Sequence, residues 1–146
     1  MTHVQTVAAL RLASLVVSGV GALTVATLLS PQAPLLARFL ELALLDFGGE
    51  AGVVNEETRL LGAVMGGLMA GWGVTNRLIA THVYARDPWL GGRILMQGML
   101  VWFVVDGVGS ALAGAWFNIV LNLPFLALFA VPILRARRAG SAASAR

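Results

Sequence analysis

The chain has 146 residues, of which 58% are hydrophobic and 12% charged, and its formal net charge is +3. Soluble domains carry about 25% charged residues, so the composition excludes an ordinary water-soluble enzyme, a disordered tail and a disulfide scaffold, and leaves an integral membrane protein. Cysteine and lysine are both absent, which removes disulfides, thiolate metal sites, cysteine nucleophiles and lysine Schiff bases.

The first apolar stretch runs from Val7 to Leu29, with Arg11 near its start. It is longer than the roughly 7–15 residues of a signal-peptide core, so it is expected to stay as a membrane span, ended by Pro31 and Pro34. A long acidic link follows, in which Glu41, Asp46, Glu50, Glu56 and Glu57 outnumber Arg38 and Arg59. Within it Leu35, Leu36, Phe39, Leu40, Ala43 and Phe47 line one side of a short helix, the pattern of a helix lying in the bilayer interface. Such a helix is either a connector or a lid over a cavity open to the outer leaflet. Gly48, Gly49 and Gly52 form a flexible turn after it.

The second span runs from Leu60 to Ala80. Gly62, Gly66, Ala70 and Gly73 share one face, a spacing that lets two backbones approach closely. That face serves packing inside the chain or a homodimer contact through Gly62, Gly66 and Gly73. Asp87–Pro88 breaks the chain before the third span, Ile94 to Ala115. The fourth runs from Phe117 to Leu134 and contains Pro124 and Pro132, which are expected to kink it. The link around Gly114 to Asn118 is so short that the last two spans must form a helical hairpin. The expected fold is therefore all-α: a four-helix transmembrane bundle with an interfacial helix between the first and second spans. One membrane domain covers residues 1–138, and 139–146 form a flexible tail of small residues.

Arginine placement sets the orientation. Arg77, Arg86 and Arg93 flank the middle link, and Arg135, Arg137, Arg138 and Arg146 sit at the C-terminus. By the positive-inside rule both termini and the middle link face the cytoplasm of a bacterial inner membrane. Tyr84 and Trp89 then lie at the inner interface, Trp116 and Phe117 at the outer one. These basic residues lie at span ends without interleaved aromatics, so nucleic acid is not an expected partner.

Asp106 is the most informative residue. It lies roughly 18 Å into the third span at about 1.5 Å per residue, and acids at such depth usually face a bundle interior or a wet cavity. Leu95, Met99, Trp102, Gly109, Ser110 and Ala113 share its face. Arg93 and Gln97 lie on the opposite side. Partners must come from other spans: Asn122 at similar depth through a hydrogen bond, or Arg59 through an ion pair. His3 and His82 lack metal-ligand spacing, and there is no phosphate loop, nucleophile elbow or catalytic triad. No metal or cofactor is expected.

The run Arg59-Leu-Leu-Gly62 to Met65-Gly66-Gly67-Leu-Met-Ala-Gly71-Trp-Gly73, with Gly92-Arg93 and Asp106-Gly107, resembles the small bacterial four-helix membrane proteins of the DoxX-like kind, over about the last 90 residues. The resemblance implies an inner-membrane four-helix fold. Those relatives are expected to carry a carboxylate in the fourth span, where Asn118 and Asn122 stand here. Three functions follow from the residues. The first is an accessory subunit or a binder of a small hydrophobic molecule (a quinone, isoprenoid or sterol-like lipid), with Trp72, Trp102, Met99, Ser110, Asn122 and Arg59 as binding candidates. The second is an intramembrane isomerase or cyclase using Asp106 as general acid on a terpenoid-like substrate. The third is a small channel or transporter.

Overall fold

The computed structural model describes residues 1–30, 32–47 and 54–144. Pro31, Glu50, the glycine turn at Gly48, Gly49 and Gly52, and Arg146 in the tail lie outside the described residues. The described chain is helical: α1 (His3–Thr27), α2 (Pro34–Leu44), α3 (Glu56–Leu78), a π-helical segment (Ile79–Tyr84), α4 (Pro88–Leu112) and α5 (Trp116–Ser144).

Each helix start has a local cause. Thr2 Oγ1 accepts from the Gln5 N–H at 3.2 Å while the Gln5 side chain accepts from the Thr2 N–H at 3.0 Å, a reciprocal cap on α1. Asn55 accepts from the Thr58 N–H at 2.8 Å to open α3, and Glu56 and Glu57 complement its dipole. Asp87 caps α4 through the Leu90 N–H at 2.9 Å, with Pro88 in the first turn. The buried hydroxyls of α1 satisfy themselves: Thr6, Ser14 and Thr24 donate to carbonyls one turn back at 2.7 to 2.9 Å. Gly114, at φ +77°, takes the left-handed conformation that reverses the chain between α4 and α5.

α1, α4 and α5 are long and apolar enough to cross a membrane, which makes this a membrane protein with transmembrane helices. α3 has the length without the same hydropathy. Its glycines and charged ends dilute the apolar run that marks a span. The α4–α5 hairpin forms as expected. Pro124 and Pro132 lie within α5, which continues to Ser144, through part of the segment expected to be a tail. The apolar face of the second helix is shorter than the sequence suggests. α2 stops at Leu44, because Leu45 adopts φ 54°, and Phe47 beyond it is exposed.

Packing divides the helices into two intimate pairs. α1 lies along α3, and α4 along α5; α1 also meets α5. The α1–α3 approach is glycine-enabled: a Cβ on Gly21 would sit 2.5 Å from the Gly66 carbonyl oxygen and 2.6 Å from the Ala70 nitrogen. Ser18 Oγ donates to the Ala70 carbonyl at 3.1 Å across the same seam. Gly73 packs on Ser14 and Ser18 of α1, and Gly62 on Leu36 of α2. The glycine face of α3 is therefore occupied within the chain.

The fully buried core gathers at the end of the bundle that carries both termini. It comprises Leu10, Ala13 and Val17 of α1, Ala80 and Tyr84 of the π-helical segment, Leu95 and Met99 of α4, and Phe129 and Ile133 of α5. His3 closes this end, stacking on Tyr84 at 5.9 Å and reaching the Ala85 carbonyl with Nε2 at 3.0 Å.

Candidate functional site

At the opposite, hairpin end, α3 and α4 stand apart, and the space between them is not filled by side chains. A cavity of about 190 Å³ lies there. Its apolar wall combines Val20 of α1, Leu36 and Phe39 of α2, Met65, Met69 and Trp72 of α3, Trp102 of α4 and Phe125 of α5. Its polar wall is Asp106, Asn118 and Asn122; Thr24 of α1 also lines it, with its hydroxyl hydrogen given to the Val20 carbonyl.

The polar group follows from helix geometry on either side of a tight turn. Asp106 and Ser110 are one turn apart on α4; Asn118 and Asn122 are one turn apart on α5. The hairpin turn at Gly114 brings the two pairs face to face. Asn118 Nδ2 donates to Asp106 Oδ2 at 3.0 Å and to Ser110 Oγ at 2.8 Å. Asn122 Nδ2 also donates to Asp106 Oδ2, and Ser110 Oγ donates weakly to the same oxygen at 3.4 Å. Ser110, Asn118 and Asn122 are buried, and Asp106 is partly buried. Three donors thus converge on one carboxylate oxygen. This solvates the partly buried acid with no counter-ion among the described residues. One buried acceptor has no counterpart: Asn118 Oδ1 has no hydrogen-bond partner, a deficit of about 1–3 kcal/mol if nothing fills it.

A larger groove of about 920 Å³ adjoins the cavity. Leu36, Phe39, Met65, Met69, Trp72 and Trp102 belong to both. Leu40 and Leu44 of α2 and Leu61, Val64 and Leu68 of α3 extend the groove away from the polar wall. Leu61, Val64 and Leu68 are exposed, so the groove opens on the outer face of α3. α2 forms its roof. This helix is held between two left-handed residues, Ala33 at φ 40° and Leu45 at φ 54°, a backbone conformation that non-glycine residues adopt at a cost. The ring of Trp102 links the walls, lying 5.3 Å from Trp72 and 6.5 Å, edge-on, from Phe125.

Of the residues singled out in the sequence, Asp106, Ser110 and Asn122 are joined in one cluster, and Trp72 and Trp102 line both spaces. Two candidates lie elsewhere. Met99 is 1% exposed and belongs to the core at the termini end. Arg59 forms no ion pair with Asp106. Its guanidinium donates to the Ser30 carbonyl at 2.9 Å and to the Leu28 carbonyl, holding the carbonyl-rich end of α1, where a cation is favoured. Asn118, which the sequence marks with Asn122 as standing where a carboxylate is expected but which is not among the binding candidates, joins the site. Its signal was the repeat of the one-turn spacing, Asp106/Ser110 before the hairpin and Asn118/Asn122 after it.

The arrangement supplies an apolar slot ending in a group rich in hydrogen-bond acceptors. Comparisons of the chain with protein families, with curated proteins and with solved structures find no match.

Proposed function

We propose that this protein is a four-span membrane protein of the bacterial inner membrane that binds a small hydrophobic molecule of the quinone, isoprenoid or sterol-like class. In this reading α3 is the fourth span, kept in the bilayer by its seam with α1 despite its lower hydropathy. Both termini face the cytoplasm, because Arg77, Arg86, Arg93, Arg135, Arg137 and Arg138 cluster at the end that carries them. The ligand enters sideways from the bilayer between α3 and α4, beneath α2. Its apolar body lies along Met65, Met69 and Trp72, and its polar end reaches Asp106.

One observation carries this reading: an apolar groove bordered by exposed side chains of α3 shares six wall residues with a cavity that ends at a buried polar cluster. Ligand sites generally join a mostly apolar lining to a few convergent polar groups, in about 300–1,000 Å³; the groove falls within that range, and the adjoining cavity supplies the polar groups. The test is to purify the protein in a mild detergent and identify retained lipids by mass spectrometry. One molecular species should be enriched in the wild-type protein and lost from Trp102→Ala. An identical lipid profile in both proteins would refute it.

An intramembrane isomerase or cyclase is the second reading, and the rings of Trp102 and Phe125 favour it, since aromatic faces beside a cavity stabilise a cationic intermediate. It is less well served by Asp106. Three donors directed at one oxygen suit an acceptor, whereas a general acid must give a proton away.

A further inference from the structure

The bonds around Asp106 fix what the cavity lacks. All three donors reach Oδ2, and Oδ1 receives none of them. With Asp106 ionised, the orientation of the Asn118 amide follows from its partners: Nδ2 serves both Asp106 Oδ2 and Ser110 Oγ, and turning the amide would set its oxygen against a carboxylate oxygen. Asn118 Oδ1 is therefore a true acceptor, and it is buried without a partner in a side chain only 8% exposed. Both hydrogens of the Asn118 amide are spent inside the cluster, and so is the Ser110 hydroxyl hydrogen. What remains at the polar wall is chiefly acceptor capacity, on the Asp106 carboxylate and the Asn118 amide oxygen, against the second hydrogen of the Asn122 amide, which has one acceptor in Asp106 Oδ2. No arginine or histidine is among the residues lining the cavity.

Resting on the binding reading above, we infer that the cavity selects ligands whose polar end is a hydrogen-bond donor, a hydroxyl or a protonated amine, on an apolar body. A head group that only accepts, such as a ketone, ether or oxidised quinone, would leave the Asn118 oxygen unpaired and meet the carboxylate with its own lone pairs. An anionic head would face Asp106 with no cation to offset it. Among quinone-like molecules the site thus takes the reduced, hydroxyl-bearing form. The aromatic wall of Trp72, Trp102 and Phe125 tolerates either donor, because ring faces attract an ammonium and pack equally against an uncharged chain.

The experiment uses the full chain in lipid nanodiscs and four matched probes: geranylgeraniol, its primary amine, its methyl ether and its carboxylic acid. Binding is read from quenching of tryptophan fluorescence, with Trp102→Ala as the site control. The alcohol, the amine or both should bind about tenfold or more tightly than the ether and the acid, and Asp106→Asn should shrink that preference while retaining chain-dependent quenching. Tighter binding of the amine than the alcohol identifies an ammonium as the favoured donor; the reverse identifies a neutral hydroxyl. If all four probes bind equally and all are weakened by Trp102→Ala, the donor requirement is wrong and the hydrophobic site stands. If none binds in a manner that depends on Trp102, the binding reading falls with it.

Discussion

The two ends of the bundle are built on opposite plans. At the termini end, side chains from α1, the π-helical segment, α4 and α5 close on one another, and Leu10, Val17, Phe129 and Ile133 are fully buried. At the hairpin end α3 and α4 stand apart, polar residues replace apolar ones on the facing sides of α4 and α5, and a cavity persists. The contrast separates two tasks. One end supplies rigidity, which lets the other carry empty volume and buried polar groups, both of which weaken a fold.

The largest effect should come from breaking the packed end. Phe129→Ala removes a ring with no exposure. Loss of a buried Phe costs about 3–5 kcal/mol in water-soluble cores, and a value toward the lower limit is expected here. In lipid the loss is of dispersion contacts more than of transfer from water. Phe39→Ala, in the wall of the cavity, should cost less than about 1 kcal/mol by the same reasoning, because the space beside it is already open. Thermal unfolding in detergent compares the two. Equal losses would mean that the cavity end is as tightly packed as the other, and the contrast would fail.

The next test concerns the polar cluster. Asp106→Leu removes the acceptor on which Ser110, Asn118 and Asn122 converge. Leaving buried donors unpaired costs about 1–3 kcal/mol, so this variant should be less stable than the wild type. Replacing Asp106, Asn118 and Asn122 together by leucine removes the unpaired groups as well, and should recover that stability or exceed it while abolishing ligand retention. A triple variant less stable than Asp106→Leu would make the cluster a structural tie between α4 and α5, in place of a site maintained at the expense of stability.

How far these features are legible in the sequence depends on their range. The helices are written locally, in apolar runs, in the caps Thr2, Asn55 and Asp87, and in the proline that opens α4. The seam of Gly62, Gly66 and Gly73 is visible as a spacing, although spacing alone leaves open whether α1 or a second chain fills it. Asp106 stands out because an acid in an apolar run needs a reason. The cavity itself is not local: it exists because α3 follows α1 while α4 follows α5, and no stretch of sequence states that divergence. Arg59 illustrates the same limit. Its charge suggests an ion pair with Asp106, but the carbonyls at the end of α1 lie within reach of its side chain and accept its hydrogen bonds instead. Asn118 is visible in the fourth span, but its pairing with Asp106 is not, because it sits beside the hairpin turn, where asparagine usually serves the turn itself.

The smallest expected effect tests how dry the packed end is. Tyr84 lies in the π-helical segment, beyond the apolar run of α3, and is 2% exposed. Burial pushes its phenol above the ordinary value, and the positive charge of Arg137 draws part of that rise back. The folded chain therefore holds the neutral phenol more firmly than the unfolded chain does. Below about pH 10 both states keep the proton and nothing changes. As pH rises past that value the unfolded chain ionises first, so stability declines until the folded phenol ionises too. Unfolding midpoints measured from pH 8 to beyond about pH 10 should fall for the wild type and fall less for Tyr84→Phe. Identical slopes would mean that water or Arg137 stabilises the phenolate, and that the termini end is wetter than its packing implies.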